Sequence, residues 1–246
     1  MIRRALSQSW GIVLILAAWQ FYVMAMHFNS IVIVTPIAVV ADIVRHPSVY
    51  AWPTLWTLGF ALAGLAGGML VGLLLAVLAW SSHLISGVMS PVALMLSSTP
   101  VVCLIPLIAR IFGYSSGTEL VAVLVLTFFP AFVFAASGLR KLPPMSNQLF
   151  TAFAARPREI LRLLALPAAM PSIAAALRVC AAYSVLVTMV AEYLMQTGGL
   201  GNMFALMSQE FQTARAFGAS LLAMALSSAL YTVAGAIEQR IQARFL

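Results

Sequence analysis

Residues 54–80 read TLWTLGFALAGLAGGMLVGLLLAVLAW and contain no Asp, Glu, Lys or Arg. A helix that crosses a membrane needs about 20 mostly apolar residues, because the hydrocarbon layer is about 30 Å thick and each residue rises about 1.5 Å. This stretch is long enough to cross with tilt. Its apolar residues follow one another instead of alternating, which excludes a barrel strand and leaves a helix. Gly64, Gly68 and Gly72 recur every fourth residue. One face is therefore nearly bare backbone, suited to close approach by another helix.

The rest of the chain agrees with that reading. Of 246 residues, 63% are hydrophobic and only 8% charged, against about 25% charged in a soluble domain. So few ionisable groups cannot cover a water-soluble surface. The expected fold is an all-α polytopic membrane protein in a single domain, 1–246. Six segments have the length and composition of spans: 9–28, 54–80, 85–109, 119–138, 171–194 and 215–237. The third holds Pro91, Pro100 and Pro106, which make kinks and irregular backbone. The first has a positively charged start, but its apolar run is longer than a signal-peptide core and no small-residue cleavage site follows, so it reads as an uncleaved span.

Between spans 1 and 2, Pro36 at a first-turn position and Ile37, Val40, Ile43 and Val44 at helical spacing predict a short surface helix on the outer face. Tyr50 and Trp52 then fall where an interfacial aromatic belt would place them. Cys103 and Cys180 lie in apolar runs and read as buried thiols, with no disulfide framework or metal site.

Basic residues set the orientation. With both termini cytoplasmic, ten of the 13 fall inside: Arg3, Arg4, Arg140, Lys141, Arg156, Arg158, Arg162, Arg178, Arg240 and Arg244. Positive charge concentrates on the cytoplasmic side of membrane proteins. The net charge of +7 therefore implies no nucleic acid.

The longest inside loop is 139–170. Pro143–Pro144 turn the chain, Ser146 or Asn147 offers a helix cap, and a short helix follows through 147–154. Pro157 fits the first turn of a second helix over 158–166. Ile160, Leu161, Leu163 and Leu164 form its apolar side. Arg158 and Arg162 lie one turn apart on another side, with Glu159 beside Arg162. Pro167 and Pro171 are expected to stop this helix before span 5. An amphipathic helix of this kind can lie on lipid headgroups or dock a partner.

Span 5 carries Cys180, Ser184, Thr188 and Glu192 at intervals of four, with Tyr183 adjacent. The spacing makes a polar stripe on one helix face. Glu192 stands out, since an ionisable group in a bilayer is costly and usually functional. Ser97, Ser98 and Thr99 precede Pro100 in span 3, and three successive hydroxyls place at least one toward the bundle. These residues, with Tyr183, are the candidates for lining a solute path; structural hydroxyl bonds to backbone are the alternative. The glycines of QTGGLGNMF permit unusual backbone angles, so that outer loop could re-enter or gate.

The segment 148–171 resembles the cytoplasmic motif of membrane subunits of bacterial ATP-binding-cassette (ABC) importers, roughly E-A-A-x-x-x-G, nine residues, then I-x-L-P. Pro167 takes the final proline, Leu166 the leucine and Leu164 the isoleucine. Gln148 stands for the family glutamate and Ala154 for its glycine. VTPIAVVADIV, PVALMLSSTPVVCLIPLIARIFGYSSGTEL, LPAAMPSIAAALRVCAAYSVLVTMVAEYL and GGLGNM resemble successive motifs of the sulfonate, nitrate and taurine permease branch. Together they cover about residues 34–205.

The resemblance implies a type I ABC importer permease fold of about six spans, with 139–170 as a coupling loop. Gln148, Ala154, Arg156, Arg158, Glu159, Arg162, Leu166 and Pro167 would then dock an ATPase. It implies a bacterial inner-membrane subunit moving a small solute: a sulfonate, nitrate, taurine, a pyrimidine vitamin precursor or a similar compound. Its partners would be two cytoplasmic ABC ATPases, a second permease copy or a paralogue, a periplasmic or lipid-anchored binding protein, and membrane lipid. Glu192 is a position where the branch has a glutamate. No cofactor is expected on this chain; ATP and Mg would sit on the ATPase. Indeed Lys141, the only lysine, precedes Leu142, so no G-x-x-x-x-G-K-[ST] phosphate loop exists.

Two other classes compete. A secondary transporter or channel would usually show intramembrane ion pairs or a repeat of broken helices, and neither is clear. A membrane-embedded enzyme would need a catalytic cluster. Yet His27, His46 and His83 are scattered, and neither H-E-x-x-H nor a pair of intramembrane aspartates occurs.

Overall fold

A computed structural model describes residues 2–26, 29, 31–142 and 144–245. His27 and Pro143, singled out above, lie outside the described residues. The described chain is helical throughout: α1 (Ile2–Ala25), α2 (Pro36–Arg45), α3 (Pro47–Ser81), α4 (His83–Ser98), α5 (Val101–Phe112), α6 (Ser116–Arg140), α7 (Ser146–Ala152), α8 (Pro157–Ile160), a π-turn (Leu161–Ala165), α9 (Leu166–Met195), α10 (Gly199–Gln209) and α11 (Thr213–Phe245).

Among the described residues, four helical runs are long and apolar enough to cross a membrane: Pro47–Ser81, Ser116–Arg140, Pro157–Met195 and Thr213–Phe245. The N-terminal helix adds a shorter apolar stretch, Val13–Ala25. The expected third span is not one helix. It divides into α4 and α5, of 16 and 12 residues. Thr99 between them is extended, with φ −84° and ψ 130°, because the ring of Pro100 clashes with a helical residue before it. Each half is shorter than the roughly 20 residues a crossing requires.

The bundle is built on α3, α6 and α9, with α11 packed along α9. Gly64, Gly68 and Gly72 face Val123, Thr127 and Ala131 of α6. Steps of four on one helix meet steps of four in the same direction on the other, so the two run parallel in register. A Cβ on Gly72 would stand 2.7 Å from that of Ala131 and 2.8 Å from the Phe128 carbonyl oxygen. The Thr127 hydroxyl donates to the Val123 carbonyl at 2.7 Å and lies 3.0 Å from that of Gly64. The opposite face of α3 exposes Leu70, Leu74 and Leu78, a surface that only lipid or another apolar partner can cover.

The core is correspondingly rich in small residues. Ala76, Ala79, Phe132, Ala135, Leu139, Ala165 and Ala169 pack at the Arg140 end of α6. Ile105, Ala122, Leu126, Val187, Ala191 and Met195 pack at the other end. In a bilayer, helices associate through such close van der Waals contact.

Pro36 opens α2, and the Thr35 hydroxyl accepts the Ala38 N–H at 3.3 Å. Tyr50 departs from the expected aromatic belt. It is buried, and its hydroxyl donates to Asp42 Oδ2 at 2.6 Å. Asp42 also lies 3.7 Å from Nε of Arg215, so the acid draws Tyr50 inward while Trp52 stays exposed. Cys103, expected buried, is exposed on α5, whereas Cys180 is buried.

Candidate functional site

The loop after α6 begins where the Lys141 N–H bonds the Gly138 carbonyl at 3.1 Å. α7 then runs for 7 residues. The chain leaves it through Ala154, whose φ is +51°. That left-handed conformation places a Cβ near the following carbonyl and costs an L-residue about 1–2 kcal/mol. Here the importer motif carries glycine. The Ala155 N–H closes the turn on the Phe150 carbonyl at 3.0 Å.

Pro157 opens α8, and the Glu159 carboxylate accepts the Arg156 N–H at 2.7 Å. This bond secures one otherwise orphaned donor at the helix start. Arg156, Arg158, Glu159, Arg162, Gln148 and Ala154 are all exposed, and Leu166 and Pro167 are half-buried.

One local expectation fails. The helix does not stop at Pro167 and Pro171. From Pro157 to Met195 it is one continuous run. The π-turn makes this possible: the Leu166 N–H reaches back five residues to the Leu161 carbonyl, which displaces the carbonyls that a proline ring at 167 would otherwise strike. From Pro157 onward, the second half of the loop and the span are therefore one element, not two joined by a break.

The sequence reading passed over the solvent face of α7. Met145, Leu149 and Phe153, spaced by four, are 76%, 55% and 77% exposed. Exposed apolar side chains in a row next to exposed arginines make a surface suited to a protein groove. The signal was present as i, i+4, i+8 spacing amid Ser146, Asn147 and Gln148.

The polar stripe of α9 lies inside the bundle. Cys180, Ser184, Thr188 and Glu192 are fully buried. The Ser184 hydroxyl donates to the Ala181 carbonyl at 3.0 Å, and Thr188 to that of Ser184 at 2.8 Å. Glu192 is a junction. Its carboxylate lies 2.8 and 2.9 Å from the Thr57 hydroxyl and accepts the Gly201 N–H at 2.8 Å. The Leu200 N–H in turn donates to the Thr57 oxygen at 2.9 Å. Glu192 thus ties α3 and the start of α10 to α9. Gly199, with φ +73°, packs directly on this carboxylate, so glycine is required there.

A second buried acid, Glu119 at the start of α6, was also missed. It accepts the Thr197 hydroxyl at 2.6 Å. Its position in the first helical turn, beside a Gly-rich loop, gave little reason to single it out. Together the two acids hold the α9–α10 turn, 196–198, from both sides.

Tyr183 faces elsewhere. With Leu96, Leu126, Phe129, Pro130 and Val179 it lines a cavity of about 280 Å³ beside the α4–α5 break. The Ser98 and Thr99 hydroxyls donate to the Met95 carbonyl at 2.8 and 2.9 Å, which satisfies an acceptor left open at the end of α4. The side chain of Ser97 lies outside the described ones. No group of three or more His, Cys, Asp and Glu residues that could hold a metal occurs among the described residues.

A family model described as "Binding-protein-dependent transport system inner membrane component" matches residues 68–245. The chain is 29% identical over 217 residues to a "Probable ABC transporter permease protein" of Haemophilus influenzae, covering 88% of this chain and 89% of that one. It is 29% identical over 155 residues to the formylaminopyrimidine transport permease protein ThiX of Halalkalibacterium halodurans, covering 63% of this chain and 62% of the relative. The riboflavin transport system permease protein RibX of Chloroflexus aurantiacus is 24% identical over 151 residues, 61% of this chain and 56% of its own length. Among solved structures, a chain of the inward-facing MetNI methionine ABC transporter aligns with a TM-score of 0.64 at 18% identity, covering 76% of this chain and 93% of that one. A chain of an amino acid ABC transporter aligns with a TM-score of 0.67 at 16% identity, covering 81% and 97%. At such identities the structures attest to the fold.

Proposed function

Because this chain belongs to the binding-protein-dependent transport system inner membrane components, we propose a specific working arrangement for it: loop 139–170 receives the push of a partner ATPase, and α9 carries that push to the solute path. The coarser identity is plain. This is a multi-pass ABC-importer permease subunit that moves a small solute across the membrane, without an ATP-binding site of its own.

The observation that carries the proposal is the unbroken helix Pro157–Met195. A helical run of 39 residues without a break connects an exposed docking surface to the bundle interior. Force applied at one end moves the other as a rigid body. Met145, Leu149 and Phe153 supply the apolar anchors of the docking surface. Arg156, Arg158 and Arg162, with Glu159, supply its charged surround; Gln148 and Ala154 shape the first turn; Leu166 and Pro167 join it to the bundle.

ATP and Mg belong to the ATPase, present in two copies. A second permease, identical or paralogous, completes the path, and a periplasmic or lipid-anchored binding protein delivers the solute. The distribution of basic residues supports a cytoplasmic placement of the loop and both termini in a bacterial inner membrane. Tyr183 is the best-placed path residue, since it lines a cavity while Ser184, Thr188 and Glu192 are enclosed. The tying hydrogen bonds of Glu192 fit an anchor better than a solute ligand.

The sulfonate, nitrate and taurine branch supplies the sequence motifs. The relatives' names favour its heteroaromatic end, a pyrimidine or flavin-like solute. Phe129 and Tyr183 both line the cavity, and an aromatic lining suits a planar solute.

Co-expression with a cognate ABC ATPase tests the arrangement. A detergent-stable complex is expected, and Leu149→Glu with Phe153→Glu is expected to abolish it while leaving the permease folded. Transport by the purified chain alone under an ion gradient would overturn the reading in favour of a secondary transporter. In the intact system, uptake of a labelled pyrimidine or flavin should exceed that of taurine; the reverse preference would return the solute to the sulfonate class.

A further inference from the structure

A cavity of about 450 Å³ lies at the Arg140 end of α6, enclosed by α9 and the last turns of α11. Its lining includes the apolar Val133 and Phe134 and the polar Ser137, Lys141, Ser172 and Gln242. Lys141 is the only lysine in the chain. It is exposed, and among the described residues no carboxylate pairs with it. Neither the Ser137 nor the Ser172 hydroxyl makes a hydrogen bond among the described residues.

The nearby acid is already engaged. Glu238 accepts from Arg178 at 3.1 Å and from the Gln242 amide at 3.0 Å, and Arg178 lies 4.2 Å over the ring of Tyr231. Arg240 and Arg244 are exposed on the same last turns of α11. The cavity thus offers one cation and two hydroxyls beside two apolar side chains, and no carboxylate is among its lining residues.

We propose that this cavity is a binding site for an anionic phospholipid. Lys141, Ser137 and Ser172 take the phosphate, and Val133 and Phe134 take the beginning of an acyl chain. Basic pockets between spans near the headgroup layer favour such lipids. The apolar Val133 and Phe134 distinguish a lipid from a free phosphate, which would engage the polar groups and leave these side chains wet. The assignment is independent of the solute carried.

The test uses the purified full-length chain in detergent, supplied with phosphatidylglycerol or phosphatidylcholine, with retained lipid read by native mass spectrometry. Phosphatidylglycerol should be retained in preference. Lys141→Gln should lower its retention about fivefold, the factor one cation near an anionic surface contributes, and Lys141→Arg should preserve it. Ser137→Ala with Ser172→Ala should lower it further in the Lys141→Gln background. Arg244→Gln, outside the cavity, should leave it unchanged. Inorganic phosphate at equal concentration should fail to displace the lipid. Equal retention of both lipids, an equal loss from Arg244→Gln, or displacement by phosphate would overturn the assignment, the last in favour of a soluble anion site.

Discussion

The two ends of α9 hold their charges in opposite ways. At the Met195 end, Glu192 is enclosed, and backbone and hydroxyl donors from α3 and α10 surround its carboxylate. At the Pro157 end, Arg156, Arg158 and Arg162 stand in solvent without a salt bridge among the described residues, beside three exposed apolar side chains and a strained alanine. One end is finished within the chain and the other is left open for something else to complete. On the proposed coupling role, a push received at the open end would pass through the tied end to α3 and α10.

The largest effect should come from breaking the finished end. Glu192→Ala leaves the Thr57 hydroxyl and the Gly201 N–H without their acceptor. With each buried donor left unpaired costing about 1–3 kcal/mol, a loss of about 3 kcal/mol or more is expected in denaturation in detergent. Glu192→Gln, which keeps an acceptor, should lose less. An unchanged midpoint for the alanine variant would show that this junction does not hold the bundle.

Overpacking the α3–α6 seam comes next. Gly68→Val would push a side chain toward the Phe128 backbone nitrogen, 2.9 Å from an ideal Cβ. Such forced insertion costs about 1–3 kcal/mol, again read as a lowered unfolding midpoint. Gly59 has nothing within 4 Å of an added Cβ, so Gly59→Val is the matched control and should cost little.

The open end should respond differently. Arg158→Glu with Arg162→Glu is expected to change stability by no more than about 0.5 kcal/mol, as surface substitutions usually do, while weakening retention of the ATPase on co-purification. The smallest effect is a gain. Ala154→Gly relieves the left-handed strain, and the extra entropy of glycine in the unfolded chain offsets part of it, leaving about 0.5–1 kcal/mol of stabilisation of the loop. Hydrogen exchange at Ala155, whose N–H closes this turn, should slow.

Long apolar runs made the membrane class and most spans legible in the sequence, because the bilayer demands a fixed length of apolar helix. The Gly64, Gly68 and Gly72 face was visible as a period of four. What escaped depended on partners distant in sequence. Glu192 could be recognised as unusual, but not as enclosed, since Thr57 and Gly201 reach it from other elements. Tyr50 turned inward for Asp42, a contact that no periodicity encodes. Pro167 and Pro171 suggested helix stops by the ordinary rule, and the π-turn that admits the helix past Pro167 has no sequence signature as clear as the prolines themselves. Pro100 did break its segment, because no compensating turn precedes it. The motif residue Ala154 shows the reverse case: the family's glycine signalled a left-handed turn, and the turn survives its replacement.

The central claim is that the second half of the loop, from Pro157, forms one rigid lever with the span. It is tested most directly by spin labels at Arg158→Cys and Tyr193→Cys, with Cys103 and Cys180 replaced, in the permease assembled with its ATPase. A single narrow distance should persist between them with and without ATP, while the distance from the Arg158 label to a third label at the Ser81 end of α3 changes. A broad distribution, or a shift between the two labels on ATP binding, would show a hinge at the prolines and contradict the account.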